Sequence, residues 1–560
     1  MLLRLAPWVL ITLLTAPLTA GLVMVLLPAF GYLPVLGGDT FHLEAWQSLW
    51  ARAGLHRSIL LSYFSGLITT LVALFIVVLF LAASQGTWLD RAIRRMVSPL
   101  LAIPHAAVAF GLAFLIAPSG LLVRWLSPGV TGWERPPDLL IVNDPLGLAL
   151  MAGLVLKEVP FLLLMSLAAL AQLHPERRVT LARSLGYAPG IAWLKSVFPA
   201  LYPLIRLPVY AVIAYATSVV DMALILGPTL PPTLSVSIIT WFNDPDLNRR
   251  FMASAGAVLQ LGVTLAALLT WWLGEQAVKR LSQRWLVNGS RSSGSLAIAL
   301  GGRALLLTTT LLAISALAGL VLFSVAGFWR FPDALPGTFT LDHWQRILPS
   351  VTTPLFNTLS IGLSATLIAA VLVVATLEHA ARHHLPARRA QWLLYLPLIV
   401  PQVAFLFGLV VAAESIGIRP QWALVVAAHL LFVVPYLYLS LSEAYRRLDP
   451  RWVQVALSLG VPPWRAFWQV RLPLLLAPLL TACAVSLAVS IGQYLPTLLL
   501  GGGRVPTITT EAVAMASGGN RRLIAVLALL QALLPFIGFS LALLVPRLVW
   551  AKRRQMRGVT

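Results

Sequence analysis

LHPERRVTLARSLGYAPGIAWLKSVFP, Leu173 to Pro199, and LDPRWVQVALSLGVPPWRAFWQVRLP, Leu448 to Pro473, are two polar stretches, each set between long apolar runs. Both carry Ala-x-Ser-Leu-Gly: Ala182, Ser184, Leu185 and Gly186 in the first, Ala456, Ser458, Leu459 and Gly460 in the second. Pro189 and Pro463 stand three residues after the glycine, and Pro199 and Pro473 close each copy at the same distance from it. Pro175 and Pro450 suit the first turn of a helix, where a missing N–H costs nothing. Gly186 and Gly460 suit the residue past a helix end. Pro189 and Pro463 open a second short helix, and Pro199 and Pro473 mark the return to the apolar run that follows. Each copy therefore reads as a helix–turn–helix whose small Ala and Ser let another backbone come close. A plain basic loop punctuated by Gly and Pro is the competing interpretation, and matched spacing in two copies weighs against it.

The surroundings fix the class. Of 560 residues, 59% are apolar and only 11% charged, far from a soluble globular composition. Runs of roughly 20 apolar residues, enough to cross a bilayer, recur from end to end. The fold class is an all-α polytopic membrane protein. Continuous runs rather than short alternating segments argue against a β-barrel. The net charge of +21 is no nucleic-acid signature, because most Lys and Arg sit in alternate short loops, the positive-inside pattern. Cys483 is the lone cysteine, so neither a disulfide framework nor a Cys-based metal site is available. Met1 to Gly21 has the look of a signal peptide, but apolar sequence continues to Leu27, and it is expected to stay as a span.

Six spans are expected before residue 287: about Pro7–Phe30, Ser58–Ala83, Val97–Ala117, Pro145–Leu173, Ala200–Leu226 and Phe251–Gly274. Asp90, Arg91, Arg94 and Arg95, then Lys279, Arg280 and Arg284, mark cytoplasmic turns; Ser119 to Asp144 and Gly227 to Arg250 are outer loops. Val287 to Gly302, opening Ser/Gly-rich and basic, reads as a cytoplasmic linker. Then the pattern restarts. Thr338-Phe-x-Leu repeats Thr40-Phe-x-Leu, Pro401-Gln402 with Phe407-Gly408 repeats Pro104-His105 with Phe110-Gly111, and Pro435-Tyr436 repeats Pro160-Phe161. Pro506-Thr507 matches Pro232-Thr233, and Asn520-Arg-Arg matches Asn248-Arg-Arg. The chain thus divides into a first transmembrane module (1–286), a linker (287–302) and a second module (303–560). An even number of helices per module, about six, makes the repeats parallel, about twelve spans in all. Arg382, Arg388, Arg389, Arg446, Arg447, Arg451 and Lys552 to Arg554 then fall on cytoplasmic sides, with both termini inside.

The paired segments resemble the cytoplasmic loop of ATP-binding-cassette importer permeases: Glu-Ala-Ala, three residues, Gly, nine residues, then Ile-x-Leu-Pro. Here the Gly–Pro spacing stands in both copies, the second closes as Val470-x-Leu472-Pro473, and the motif's second Ala is Ala182 and Ala456. The Glu position holds Thr180 and Gln454, and Ser196 replaces the usual Ile in the first copy. Over nearly the whole chain the organisation is similar to the fused, two-domain permeases for ferric iron and thiamine, particularly the Ynj-type permeases. The resemblance implies the importer-permease (MetI-like) fold in a bacterial inner membrane. It implies that each loop docks, as a coupling helix, in a groove of one of two ATP-binding-cassette ATPase subunits, and that a periplasmic solute-binding protein delivers a small solute. It makes Ala182, Ser184, Gly186, Pro199, Ala456, Ser458, Gly460 and Pro473 the ATPase-coupling residues.

The chain has no GxxxxGK[ST], so ATP is expected on partner subunits, with no cofactor on this chain. Neither an HExxH, a paired-carboxylate motif nor a Cys/His cluster suggests a metal site or an enzyme. An ion-gradient-driven secondary transporter is the alternative; two parallel halves suit it, but it leaves the paired Gly–Pro loops without a purpose.

Ionisable residues inside spans usually face a cavity or a partner. Lys157 and Glu158 fall in the fourth span, Asp221 near the outer end of the fifth, and Gln493 at the place equivalent to Asp221. These four are the translocation-path candidates, with a Lys157–Asp221 pair feasible; an interhelical clamp that never meets solute is the competing role. Adjacent helical residues do not face each other, so Lys157 and Glu158 should reach different partners. His429 reads as a hydrogen-bonded packing residue, and Trp241, Trp271, Trp272 and Trp550 as interfacial anchors.

Overall fold

In lipid, every backbone polar group must find its partner within the chain, which leaves long apolar runs helical. The computed structural model describes residues 2–84, 86–93, 102–291, 295–383, 385 and 391–549. Among these residues it is helical apart from turns, loops and two isolated β-bridges. Among the described residues, ten helices are long and apolar enough to cross a membrane, and two bent pairs raise the number to as many as twelve. Arg94, Arg95, Arg388, Arg389, Trp550 and Lys552 to Arg554 lie outside the described residues.

The first half runs α1 (Leu2–Ala29), α2 (Glu44–Trp50), α3 (Leu55–Ser84), α4 (His105–Ile116), α5 (Leu121–Leu126) and α6 (Leu148–Leu170). The polar segment follows as α7 (Pro175–Ser184) and α8 (Pro189–Ser196), then α9 (Phe198–Ser218), α10 (Asp221–Leu226), α11 (Leu234–Phe242) and α12 (Arg249–Val287). The second half has α13 (Ser295–Val325), α14 (Asp342–Arg382), α15 (Gln391–Ile399), α16 (Gln402–Ser415) and α17 (Trp422–Arg447). Its polar segment comprises α18 (Arg451–Ser458), α19 (Pro463–Ala466), a π turn (Phe467–Arg471) and α20 (Leu472–Leu474). Then come α21 (Leu476–Ile491), α22 (Leu495–Gly501), α23 (Ile508–Met515) and α24 (Arg521–Val549).

Several boundaries differ from those read in the sequence. The fifth span is not continuous: it breaks at Val219 and Val220, and its counterpart breaks at Gly492 to Tyr494. The sixth runs on to Val287, because the basic stretch after Gly274 is still made of good helix formers. The linker is shorter than 287–302: Ser295 to Gly302, rich in Ala, Leu and Ile, is already α13. The outer loop 227–250 is no open loop either, since α11 folds back with Leu234 and Ile238 fully buried.

The duplication shows in hydrogen bonds. The Leu234 N–H donates to Ser62 Oγ at 3.0 Å, and the Ile508 N–H to Thr358 Oγ1 at 3.0 Å, so the same side-chain position serves the first turns of α11 and α23. Ser235 Oγ donates to the Val219 carbonyl at 2.8 Å, and Thr509 Oγ1 to that of Ile491. Asp221 and Gln493 each follow that carbonyl by two residues, the equivalence read from the sequence.

The halves interlock through their first helices. α1 lies along α14 and α16 as well as α12, and α13 lies along α3, α4 and α24. The repeated Phe-Gly pair marks both crossings. A Cβ on Gly408 would strike the backbone of Gly21, and one on Gly111 would meet the Ala316 carbonyl oxygen. Small residues of this kind let membrane helices come to backbone contact.

Both polar segments lie at one end of the bundle. The Ala188 N–H donates to the Arg291 carbonyl at 2.9 Å, tying the first segment to the chain between α12 and α13. α13 and α14 then cross the apolar layer and return, and Arg382 at the end of α14 donates to the Pro463 carbonyl at 3.3 Å.

Candidate functional site

Each polar segment turns on the same helix end. The Gly186 N–H donates to the Arg183 carbonyl and the Tyr187 N–H to that of Ala182, at 2.9 and 3.3 Å. The Gly460 N–H donates to Leu457 and the Val461 N–H to Ala456, at 3.0 and 3.1 Å. This paired 5→2 and 6→1 bonding is the Schellman cap, which needs a left-handed residue after the helix. Gly186 and Gly460 supply it, with φ of +87° and +79°. Ala182 and Ala456 therefore stand three from the cap as its acceptors. Ser184 and Ser458 donate back to the Leu181 and Gln454 carbonyls, and both serines are exposed.

The two elbows are anchored differently. Behind the first, Trp193 and Val197 are buried in an apolar cluster with Phe80 and Leu201. Behind the second, Arg471 turns inward to Glu378 at 2.7 Å, and Arg382 meets the same carboxylate at 2.6 Å. Tyr445 also donates to Glu378, at 3.4 Å. Pro199 is exposed one residue into α9; Pro473 is half-buried in α20, just before the 72° bend into α21.

All four path candidates line one cavity between the halves, with about 1320 Å³ of empty space, part of it open to solvent. Lys157 Nζ donates to the Ile103 carbonyl at 2.6 Å and lies in the field of both Glu158 and Asp221. Tyr215 lies beside Asp221, and its ring lies 4.8 Å, centroid to centroid, from His105. His105 Nε2 is 3.9 Å from Glu158 Oε1. Lys157, Asp221, Tyr215, His105 and Glu158 thus form one polar arc, as buried charges require. The facing wall from the second half is uncharged, with Gln402, Gln493, Phe432, Tyr436 and Tyr494.

Sequence reading missed His105, Gln402 and the tyrosines as cavity residues. The signal lay in the repeat itself: His105 and Gln402 are the polar members of its two Pro-polar pairs. His429 is the packing residue expected, bonded to Ser490 Oγ at 2.7 Å and Thr497 Oγ1 at 2.9 Å. Among the described residues no cluster of His, Cys, Asp or Glu could hold a metal ion. The cavity can hold a small solute against polar groups on one side and aromatic faces on the other.

A duplicated helical membrane protein with two exposed elbows at one end and a polar cavity between its halves belongs to the class of solute permeases. The family model "Binding-protein-dependent transport system inner membrane component" matches residues 380–550. The inner membrane ABC transporter permease protein YnjC of Escherichia coli K12 is 33% identical over 555 residues, covering 98% of each chain. The molybdenum transport system permease protein ModB of Mycobacterium tuberculosis H37Rv is 32% identical over 179 residues, 29% of this chain and 68% of ModB. The chain belongs to this family of ABC transporter permeases, multi-pass proteins of the inner membrane.

Proposed function

We propose that the chain is the fused transmembrane subunit of an ATP-driven importer that moves a small solute delivered by a periplasmic binding protein. Its two permease modules are joined through the stretch between α12 and α13. The elbow end faces the cytoplasm together with both termini, and each elbow docks one ATP-binding-cassette ATPase subunit. ATP is bound and hydrolysed on those subunits. Closure of the ATPase pair moves the elbows, and the halves rock about the cavity between them. Family membership supports this reading, and the observation that carries it is the pair of exposed Schellman elbows on the same end of the bundle. A gradient-driven transporter would have no use for them. Ferric iron and thiamine are the solutes the resemblance brings forward; molybdenum, in the name of ModB, belongs to a relative matching under a third of the chain.

The test is ATP hydrolysis by the complex in proteoliposomes with proton and sodium gradients collapsed by ionophores. Hydrolysis by a co-purified subunit, lost when Gly186 and Gly460 are both changed to Val, supports the reading. A chain that carries no ATPase subunit overturns it.

A further inference from the structure

With Gly186 set on Gly460, Leu181 and Leu185 fall on Val455 and Leu459, an exposed apolar pair one helical turn apart on both elbows. Around that shared pair the chemistry diverges. Arg178 and Arg183 of the first elbow are matched by Trp452 and Leu457 in the second, and Gly190 by Trp464. Trp452, Leu457 and Trp464 are all exposed.

The linker widens the difference. Arg291, itself exposed, receives the Ala188 N–H on its carbonyl and runs its side chain past Gly186, adding a guanidinium to the first turn. The first elbow then shows Arg177, Arg178, Arg183 and Arg291 against Glu176; Arg178 also donates to the Leu173 and Ser196 carbonyls at 3.3 and 3.4 Å. The second shows Arg451 and Arg465 against Asp449, with Arg465 over the Trp464 ring and Arg471 turned inward to Glu378. Arg446 and Arg447, at the end of α17, are engaged with Glu443.

On the reading given under Proposed function, we infer that the two elbows hold their ATPase subunits by different forces. The first binds through ion pairs to acidic groups of the subunit, around the small Leu181/Leu185 contact. The second binds by burying Trp452, Leu457 and Trp464. Exposed charges are screened by salt, the Debye length falling from about 10 Å at 0.1 M to about 3 Å at 1 M, whereas apolar burial is not. The first site therefore empties first as salt rises.

The experiment measures the number of ATPase subunits per chain in the purified complex by light scattering at about 0.1 and about 1 M potassium chloride. Two subunits are expected at low salt and one at high salt. Arg183→Leu with Arg291→Gln, both at exposed positions, should keep two at high salt; Trp452→Arg with Leu457→Arg should leave none. Loss of both subunits together from the unaltered chain, retention of both at high salt, or variants that leave the salt response unmoved each overturn the inference. Absence of any subunit at low salt overturns the functional reading instead.

Discussion

Gly408 of α16 crosses Gly21 of α1 at backbone contact, which joins the first helix of one half to the body of the other. Lipid gives helices no hydrophobic reason to associate, so the closeness of such crossings carries much of their cohesion.

Gly408→Ala should therefore destabilise the whole protein, by about 1–3 kcal/mol as overpacking does elsewhere. Gly262, with open space around its Cβ position, is the control, and its change to Ala should be neutral or mildly stabilising. Unfolding temperatures in detergent decide; equal shifts at the two sites would mean that the crossing is not tight.

Glu378 holds Arg471 and Arg382, and removing the carboxylate leaves the Arg471 guanidinium buried without its ion partner. Glu378→Gln should cost about 3–5 kcal/mol. The loss should concentrate at the second elbow, where amide exchange over 464–474 should speed up while exchange over 189–199 stays as it was.

Lys157 and Asp221 share the field of one cavity. Lys157→Met and Asp221→Asn should each lower the unfolding temperature. The double variant should fall short of the sum of the two, with a coupling of about 0.5–3 kcal/mol. Strict additivity would show that the two groups do not interact.

Gly460 has no atom near its Cβ position, so a side chain there strains only the backbone. Gly460→Val should cost about 1–2 kcal/mol at the elbow, with the membrane bundle unaffected. ATPase-subunit binding should drop while the unfolding temperature hardly moves; a fall in both together would mean that the elbow is part of the core.

The elbows were legible because turns are written in residue type: a left-handed position asks for Gly, a helix start tolerates Pro, and both recur at fixed spacing. The repeat also made Gly111 and Gly408 visible, though not their use. Which helix crosses them was hidden, since α1 and α13 are apolar all round and lipid-facing and protein-facing sides look alike. The cavity was half legible. Lys157, Glu158, Asp221 and Gln493 stood out as polar groups among apolar ones, whereas nothing local sets Tyr215 or Tyr436 apart from other aromatic positions. The Glu378–Arg471 pair joins residues far apart in the chain, and no local pattern announces such a contact. The break after Ser218 was missed because Val219 and Val220 are as apolar as the helix they interrupt.

One count tests the central claim most directly. Single cysteines at Ser184 and at Ser458, in a chain with Cys483 replaced by Ala, can be cross-linked to the ATPase subunits of the assembled transporter. The account predicts that each position captures one ATP-hydrolysing subunit and that a chain carrying both captures two. Labelling of the two positions from opposite sides of the membrane, or no capture at either, would contradict it.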